Sequence, residues 1–195
     1  MRRKKNGPAM RVLIAMAMIV GVVEPSQGEI AELLAKLQLT AYSRSTTPPE
    51  FNGRTVDGRE WSLASVQGKV VLLNFWATWC LECREEMPAF ERMHREFSAQ
   101  GFIVIGINAR EETATIREYA KELGLTFPLI LDPSGKINST YGVIGLPTTF
   151  IIGRDGRAVA FAIGLRKWNG NFVRALIHAL PADVSAPKQP TPMRR

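Results

Sequence analysis

The two cysteines of the chain, Cys80 and Cys83, are the residues best suited to chemistry, and only two residues separate them. Thiols at this spacing can bind a metal ion, form a structural disulfide or exchange electrons as a dithiol–disulfide pair. A disulfide across so short a loop would stabilise the fold by only about 2 kcal/mol, among the smallest contributions that a disulfide makes. The spacing therefore favours redox chemistry over a structural cross-link.

The predicted elements around the pair point to the same chemistry. Val70–Phe75 is an uninterrupted apolar run, typical of a strand buried on both faces, and Cys80–Ala99 has the apolar spacing of a helix. The cysteines thus lie where a strand passes into a helix, and the N–H groups and dipole of a helix N-terminus stabilise a thiolate. We expect Cys80 to be the exposed nucleophile and Cys83 to resolve a mixed disulfide formed on Cys80.

Two tryptophans, Trp76 and Trp79, precede the cysteines. We expect both to give the surface around the thiols an apolar character that suits unfolded or flexible protein substrates. A C-x-x-C pair preceded by W-x-x-W at the end of a strand is a strong signal for thiol chemistry.

Three segments resemble the TlpA/ResA branch of the thioredoxin superfamily. They are Leu73-Asn74-Phe75-Trp76-Ala77-Thr78-Trp79-Cys80, Glu86-Met87-Pro88 and Gly145-Leu146-Pro147-Thr148-Thr149-Phe150. The resemblance runs from about Pro49 to Leu180, about two thirds of the chain. It implies an α/β thioredoxin fold, with a central mixed β-sheet flanked by helices and a βα insert at Arg110–Leu125. It also implies a thiol–disulfide oxidoreductase with no cofactor beyond its redox-active cysteine pair.

The resemblance assigns roles to three further residues. Pro147 matches the cis-proline of the family, and the backbone of Leu146 would pair with bound substrate. Glu86 matches an acidic residue near the thiols, where a partly buried carboxylate exchanges a proton with Cys83. Asn74 stands where general cytosolic thioredoxins have a buried acid, so Glu86 is the nearest candidate for this task.

The residue before the second cysteine departs from the family pattern. Many relatives have proline there, whereas this chain has Glu82. Negative charge disfavours a neighbouring thiolate, and a strong oxidant requires a very stable one. We therefore expect a reductant of client protein disulfides. The resemblance suggests apocytochrome c as a client and a membrane thiol–disulfide carrier as the electron donor.

The rest of the chain predicts one folded domain with extensions. An apolar helical face and a polar, proline-ended stretch predict an N-terminal helix and linker over residues 29–48. A thioredoxin-like domain follows over residues 49–180 and begins with a hairpin between Phe51 and Leu63. Residues 181–195 are expected to be a disordered basic tail.

Residues 1–28 have the pattern of a signal peptide or a short N-terminal anchor. A basic run precedes an uncharged, mostly apolar stretch from Val12 to Val23. As a helix this stretch would span about 18 Å, short of the ~30 Å hydrocarbon core of a bilayer. We expect export to the periplasm or the extracytoplasmic face of the cytoplasmic membrane. If the segment is not cleaved, residues 12–23 would form a membrane tether.

The net charge of +7 does not indicate nucleic-acid binding. Residues 1–28 carry a net +4 and the last eight residues a net +3, which leaves residues 29–187 neutral. A folded domain without a basic surface excess lacks the electrostatic signature of a nucleic-acid partner.

Other functions compete with the oxidoreductase hypothesis. Metal binding would need Cys80, Cys83, His94 and His178 to converge, and we expect no metal. Copper chaperones of this fold usually have a wider cysteine spacing and a paired histidine. A peroxidase would need a threonine that supports its reactive cysteine, and Thr78, two residues before Cys80, does not match that pattern. A non-catalytic binding or chaperone module, which would function without its cysteines, is the alternative from a different class.

Overall fold

The computed structural model describes residues 27–180. The apolar stretch 12–23 and the predicted basic tail 181–195 lie outside the described residues. The described part contains five α-helices and eight β-strands. The helices are α1 (Gln27–Lys36), α2 (Leu81–Phe97), α3 (Thr113–Leu123), α4 (Lys136–Thr140) and α5 (Gly170–Ala179). The strands are β1 (Thr40–Thr46), β2 (Asn52–Thr55), β3 (Glu60–Ser62), β4 (Val70–Trp76), β5 (Phe102–Ala109), β6 (Leu129–Asp132), β7 (Thr148–Ile152) and β8 (Ala158–Ile163).

All eight strands form one mixed sheet in the order β1-β8-β7-β4-β5-β6-β2-β3. β4 lies near its centre, parallel to β5 on one side and antiparallel to β7 on the other. Parallel pairing requires a crossover, which α2 supplies between β4 and β5. The predicted α/β architecture, a central mixed sheet flanked by helices, is confirmed.

Strand β4 is buried on both faces because side chains alternate along it. Its even-numbered apolar residues face the core formed with α1, α2, α3 and α5, whereas its odd-numbered residues face the core formed with α4. Every position of β4 is buried, in agreement with the uninterrupted apolar run of its sequence. The central strand therefore provides a rigid support for the residues that follow Trp76.

The predicted linker within residues 29–48 is wrong. The predicted helix is present as α1, but Thr40–Thr46 is strand β1, which pairs antiparallel with β8 at the edge of the sheet. The residues of β1 are mostly exposed. A strand of this kind at the edge of a sheet has the same polar composition as a linker, and the sequence pattern does not distinguish the two. Leu34 and Leu39 are buried in the main core, and the folded unit therefore begins before residue 49.

The predicted hairpin and insert are both present. β2 and β3 form the hairpin, and β2 also pairs with β6. The insert is larger than expected, because α3 is followed by β6, which extends the sheet parallel to β5. These additions lie on one side of β4 and leave the end of β4 and the start of α2 at the boundary between insert and core.

Candidate active site

Cys80 and Cys83 lie where β4 leads into α2. Cys80 is the N-cap residue of α2, and its Sγ accepts a hydrogen bond from the backbone N–H of Cys83 at 3.2 Å. The two sulfur atoms are joined in a disulfide. A sulfur that receives a backbone N–H at a helix N-terminus is placed where a thiolate is stabilised.

The two cysteines differ in their access to solvent. Cys80 retains 7% of its surface exposed, whereas Cys83 is completely buried. Since a thiolate must reach the sulfur of its partner along the S–S axis, an incoming protein can meet Cys80 first. The expected order of nucleophile and resolving thiol is consistent with this difference in burial.

Pro147 lies at the end of the sheet where β4 leads to the two cysteines. The Leu146–Pro147 bond is cis, as expected. The first residue of β7, Thr148, pairs with Phe75 near the end of β4, so the loop before β7 lies at the same end of the sheet as the cysteines. Leu146 is half-buried, and within residues 27–180 its backbone groups have no backbone partner. Its N–H and C=O are therefore available to an extended polypeptide.

Glu86, one helical turn after Cys83, is 2% exposed. Its Oε1 accepts two hydrogen bonds, from the backbone N–H of Arg166 at 2.8 Å and from Nε1 of Trp168 at 2.7 Å. Its Oε2 is buried and has no hydrogen-bond partner among the described residues. Burial raises the pKa of Glu86 from 4.5 to about 7, although both hydrogen bonds and the charge of Arg166 act to lower it. Nearby Glu82 adds to the rise in that pKa.

Among residues 27–180, five large apolar side chains are exposed, and they belong to three segments that meet around the disulfide. Two flank Cys80, a third precedes Leu146, and two lie at the end of β8 and just after it. The end of β8 pairs with Thr148, and the segment after it donates a backbone N–H to Glu82 at 3.3 Å. We call these residues the apolar rim: Trp79, Leu81, Ile144, Ile163 and Leu165.

Comparison with known proteins agrees with this geometry. Residues 45–160 match the AhpC/TSA family. A thiol-disulfide oxidoreductase ResA of Geobacillus thermodenitrificans is 36% identical over 125 residues, which cover 64% of this chain and 72% of the relative. The chain belongs to the ResA-like thiol-disulfide oxidoreductases of the thioredoxin superfamily.

Solved structures agree with this family. The thiol:disulfide interchange protein of Chlorobium tepidum, a thioredoxin family protein, superimposes with a TM-score of 0.64 at 30% identity, covering 70% of this chain and 99% of its own. A secreted thiol-disulfide isomerase from Corynebacterium glutamicum superimposes with a TM-score of 0.62 at 27% identity, covering 74% of this chain and 90% of its own. The predicted thioredoxin fold and thiol–disulfide oxidoreductase activity are therefore confirmed.

In this oxidoreductase Trp76 does not form part of the substrate surface, and that prediction is wrong. Trp76 is completely buried, with its ring 5.1 Å from that of Tyr119. Gly106 on β5 makes room for it, because a Cβ there would lie 2.7 Å from Nε1 of Trp76. Trp76 is still part of β4 and faces the core formed with α1, α2, α3 and α5. Trp79 lies beyond the strand and is 68% exposed.

Sequence reasoning missed Glu111, which holds the loop before Cys80. The backbone N–H of Thr78 donates to Oε2 of Glu111 at 2.7 Å, and the Thr78 hydroxyl donates to the other carboxylate oxygen. Asn108 at the end of β5 donates to Glu111 at 2.7 Å. Glu111 comes just after β5, which is parallel to β4 and next to it. Because the carboxyl ends of neighbouring parallel strands lie together, a polar residue just after β5 is a candidate for the site after β4.

Arg166 and Trp168 were missed as well. They follow β8, about eighty residues after Glu86 in the chain. Neither lies in a motif that was connected with the cysteines. The packing of α5 against α2 and the contact of Arg166 with Gln38 hold them at the site.

Neither histidine lies in a metal site of the described residues. No group of three His, Cys, Asp or Glu side chains within residues 27–180 is placed to hold a metal ion. His94 is engaged in packing, since its Nδ1 accepts the N–H of Val104 at 3.4 Å and its ring lies against Phe127. No helix between residues 27 and 180 is both long and apolar enough to cross a membrane.

Proposed function

We propose that this oxidoreductase is exported and reduces disulfides of client proteins through Cys80 and Cys83. The observation that carries the proposal is the unequal burial of the pair at the start of α2, inside the apolar rim. An accessible sulfur supported by a helix N-terminus suits the attacking thiolate, and a buried sulfur one turn away suits the resolving thiol.

The reaction begins with both cysteines reduced. The Cys80 thiolate attacks one sulfur of the client disulfide, forms a mixed disulfide and releases the first client thiolate. Cys83 then loses its proton and attacks Sγ of Cys80, which releases the second client thiolate and forms the Cys80–Cys83 disulfide. Two electrons pass to the client, and the carboxylate of Glu86 takes the proton from Cys83. A dithiol carrier in the membrane would return the enzyme to its reduced form.

The apolar rim and the backbone of Leu146 support a polypeptide as substrate. Exposed apolar side chains around a reactive group favour a partner that buries apolar surface. The N–H and C=O groups of Leu146, which have no backbone partner within residues 27–180, could pair with an extended segment in the manner of strand addition. Trp79 and Leu146–Pro147 are thus the proposed binding residues. Apocytochrome c is the client that we propose from the resemblance to the TlpA/ResA branch.

The direction of electron flow and the location are part of the same proposal. The carboxylates of Glu82 and Glu86 lie on the first turns of α2 and disfavour a neighbouring thiolate, which supports a reductant.

The basic N-terminal run, the apolar stretch 12–23 and the likeness to a secreted isomerase support a periplasmic or extracytoplasmic location. No metal or other cofactor takes part in the proposed reaction.

Two alternatives make different predictions about the same residues. A peroxidase would need a threonine beside its reactive cysteine, but the hydroxyl of Thr78 donates to Glu111. A non-catalytic chaperone would use only the apolar rim. Its function would survive a double Cys80→Ser, Cys83→Ser substitution, whereas that of an oxidoreductase would be lost.

Trapping of mixed disulfides tests the proposal. The full chain with Cys83→Ser should accumulate clients bound covalently to Cys80, because no thiol remains to resolve the intermediate. Non-reducing gels and mass spectrometry of the captured species measure this. The matched control, Cys80→Ser, should trap nothing. Trapping by Cys80→Ser and not by Cys83→Ser would reverse the roles, and trapping by neither would refute the exchange mechanism.

A further inference from the structure

The segment between β8 and α5, residues 164–169, lies along the first turns of α2 and contacts two of the acidic residues there, Glu82 and Glu86. The backbone N–H of Leu165 donates to Glu82 at 3.3 Å. The next N–H, that of Arg166, and the indole of Trp168 both donate to Oε1 of Glu86. One segment therefore holds the carboxylates of Glu82 and Glu86.

The indole of Trp168 is fixed in place by aromatic packing. Trp168 is 5% exposed, and its ring lies 5.7 Å from that of Phe90 on α2 and 5.8 Å from that of Phe172 on α5. Aromatic contacts of this kind restrict the ring to one orientation. The Nε1–H is therefore held toward Glu86 at 2.7 Å.

The two oxygens of Glu86 have unequal environments. Oε1 receives both donors, while buried Oε2 has no partner among the described residues. A carboxyl group with one oxygen occupied by N–H donors takes up its proton on the other oxygen, since the donors cannot accept one. A buried oxygen without a hydrogen-bond partner is costly, and a role in proton exchange explains why it is kept.

We propose that Trp168 is a positioning residue of the thiol–disulfide reaction. Its indole N–H, together with the backbone N–H of Arg166, fixes Oε1 of Glu86 and leaves Oε2 as the oxygen that exchanges a proton with Cys83. This inference rests on the proposed function, because it requires Glu86 to exchange a proton with Cys83.

The segment that carries Trp168 is anchored to the N-terminal part of the fold. The guanidinium of Arg166 donates to the carbonyl of Leu165 at 2.8 Å and to that of Gln38 at 3.3 Å. Gln38, between α1 and β1, has a left-handed backbone with φ of 54°. The anchoring keeps the N–H of Arg166 directed at Glu86, and α1 and β1 thereby support the site.

The groups around Glu86 determine whether loss of the Trp168 hydrogen bond raises or lowers the pKa of Glu86. The charged groups that act on Glu86 are Glu82 on α2 and Arg166 on the segment after β8. Cys83 lies three residues before Glu86 and is buried on the same helix. The hydrogen bond from Trp168 lowers the pKa of Glu86, against the larger effect of burial. Loss of that donor should therefore raise the pKa of Glu86 further, since a hydrogen bond to the charged form favours that form.

The test replaces Trp168 by Phe, which keeps an aromatic ring and removes the donor. Carboxyl carbon resonances of glutamate in the oxidised full chain report the titration of Glu86 directly. The rate at which the reduced chain reduces a disulfide-bonded peptide is measured across the same pH range. We expect Trp168→Phe to move both midpoints assigned to Glu86 upward by about one pH unit, the size of one hydrogen bond to a charged group.

Controls separate this inference from the proposed function. Trp61→Phe, on distant β3, should leave both midpoints unchanged, and Trp168→Phe should have no effect on the rate profile when Glu86 is already Gln. If Glu86→Gln leaves the rate profile as in the wild type, the proton-transfer role of Glu86 fails. If Glu86→Gln changes the profile but Trp168→Phe does not move the midpoints, only the role of Trp168 fails.

A second variant covers the case in which Trp168→Phe does not fold. A benzothienyl group at position 168 has the shape of indole and lacks the N–H. An unchanged Glu86 midpoint in that variant would likewise overturn the role of Trp168.

Discussion

Burial differentiates chemically similar side chains at this site. Cys80 and Cys83 have the same thiol group, yet Cys80 keeps 7% of its surface exposed and Cys83 is completely buried. Glu85 and Glu86 are neighbours in sequence, but Glu85 is exposed and Glu86 is buried. Helical periodicity places Glu86 on the inward face with Cys83, three positions earlier. The site therefore combines a slightly exposed sulfur with a buried carboxyl group.

The raised pKa of Glu86 has a consequence for stability. With a pKa of about 7 in the folded chain against 4.5 ordinarily, the folded state binds more protons than the unfolded state between these values. The free energy of unfolding should therefore fall as pH rises through this window and then level off, a total loss of about 3 kcal/mol from this group. Below about pH 4.5 both states are protonated and the penalty disappears.

Glu86→Gln should remove this pH dependence. The amide cannot ionise, so the stability of the variant relative to the wild type should increase by about 3 kcal/mol between about pH 4.5 and pH 8. Denaturant unfolding of both proteins with the disulfide intact measures the difference and keeps thiol ionisation out of it. Glu85→Gln is the matched control and should show no comparable change. A constant difference between Glu86→Gln and the wild type across this range would show that Glu86 does not titrate there.

The C-x-x-C motif predicts a cysteine pair at the start of a helix, and the family resemblance predicts the cis bond before Pro147; both are local features and both are present. The sequence does not predict the surroundings of Glu86. Trp168 and Glu111 reach the site from after β8 and after β5, and their contacts depend on how distant elements pack. Trp76 was misassigned because two tryptophans three residues apart look alike in sequence, although one completes a strand and the other follows it.

At the scale of elements, β4 and α2 place the thiols, and the segments before β7 and after β8 surround them. Apolar runs and helical periodicity predict most of these elements, because buried strands and amphipathic helices have distinct patterns. β1 was missed, because a mostly exposed edge strand lacks such a pattern. The apolar rim was missed beyond Trp79, since its members come from three separate segments.

The apolar rim leads to a prediction about substrates. Ile144 is 87% exposed in the segment before Leu146 and Pro147. Ile144→Ser should slow the reduction of a disulfide peptide with leucines beside its cysteine by several-fold, because about 1–2 kcal/mol of apolar contact is lost. Steady-state rates at limiting peptide concentration measure this effect.

The control for the rim is a change of substrate. With serines in place of the leucines, the peptide should be reduced equally well by Ile144→Ser and by the wild type. The same holds for a small disulfide that does not reach the rim. An equal loss of rate with all three substrates would mean that Ile144 supports the fold of the site and does not bind the client.

At the scale of the whole molecule, the additions to the thioredoxin core have different tasks. The α3–β6 insert follows directly after Glu111 and extends the sheet on one side. α1 and β1 close the other side, where Arg166 contacts Gln38. The core carries α2 and the cis-proline, and the two flanking additions fix the loop before Cys80 and the segment that holds Glu86.

Electron transfer between the reduced chain and a disulfide-bonded protein tests the central claim most directly. The dithiol form is mixed with an excess of the oxidised protein, and the thiols of both are counted by mass after alkylation. We predict that each chain reduces one disulfide of its partner and acquires the Cys80–Cys83 disulfide, and that Cys80→Ser reduces none. Persistence of the dithiol beside an accessible client disulfide, or equal reduction by Cys80→Ser, would contradict the mechanism.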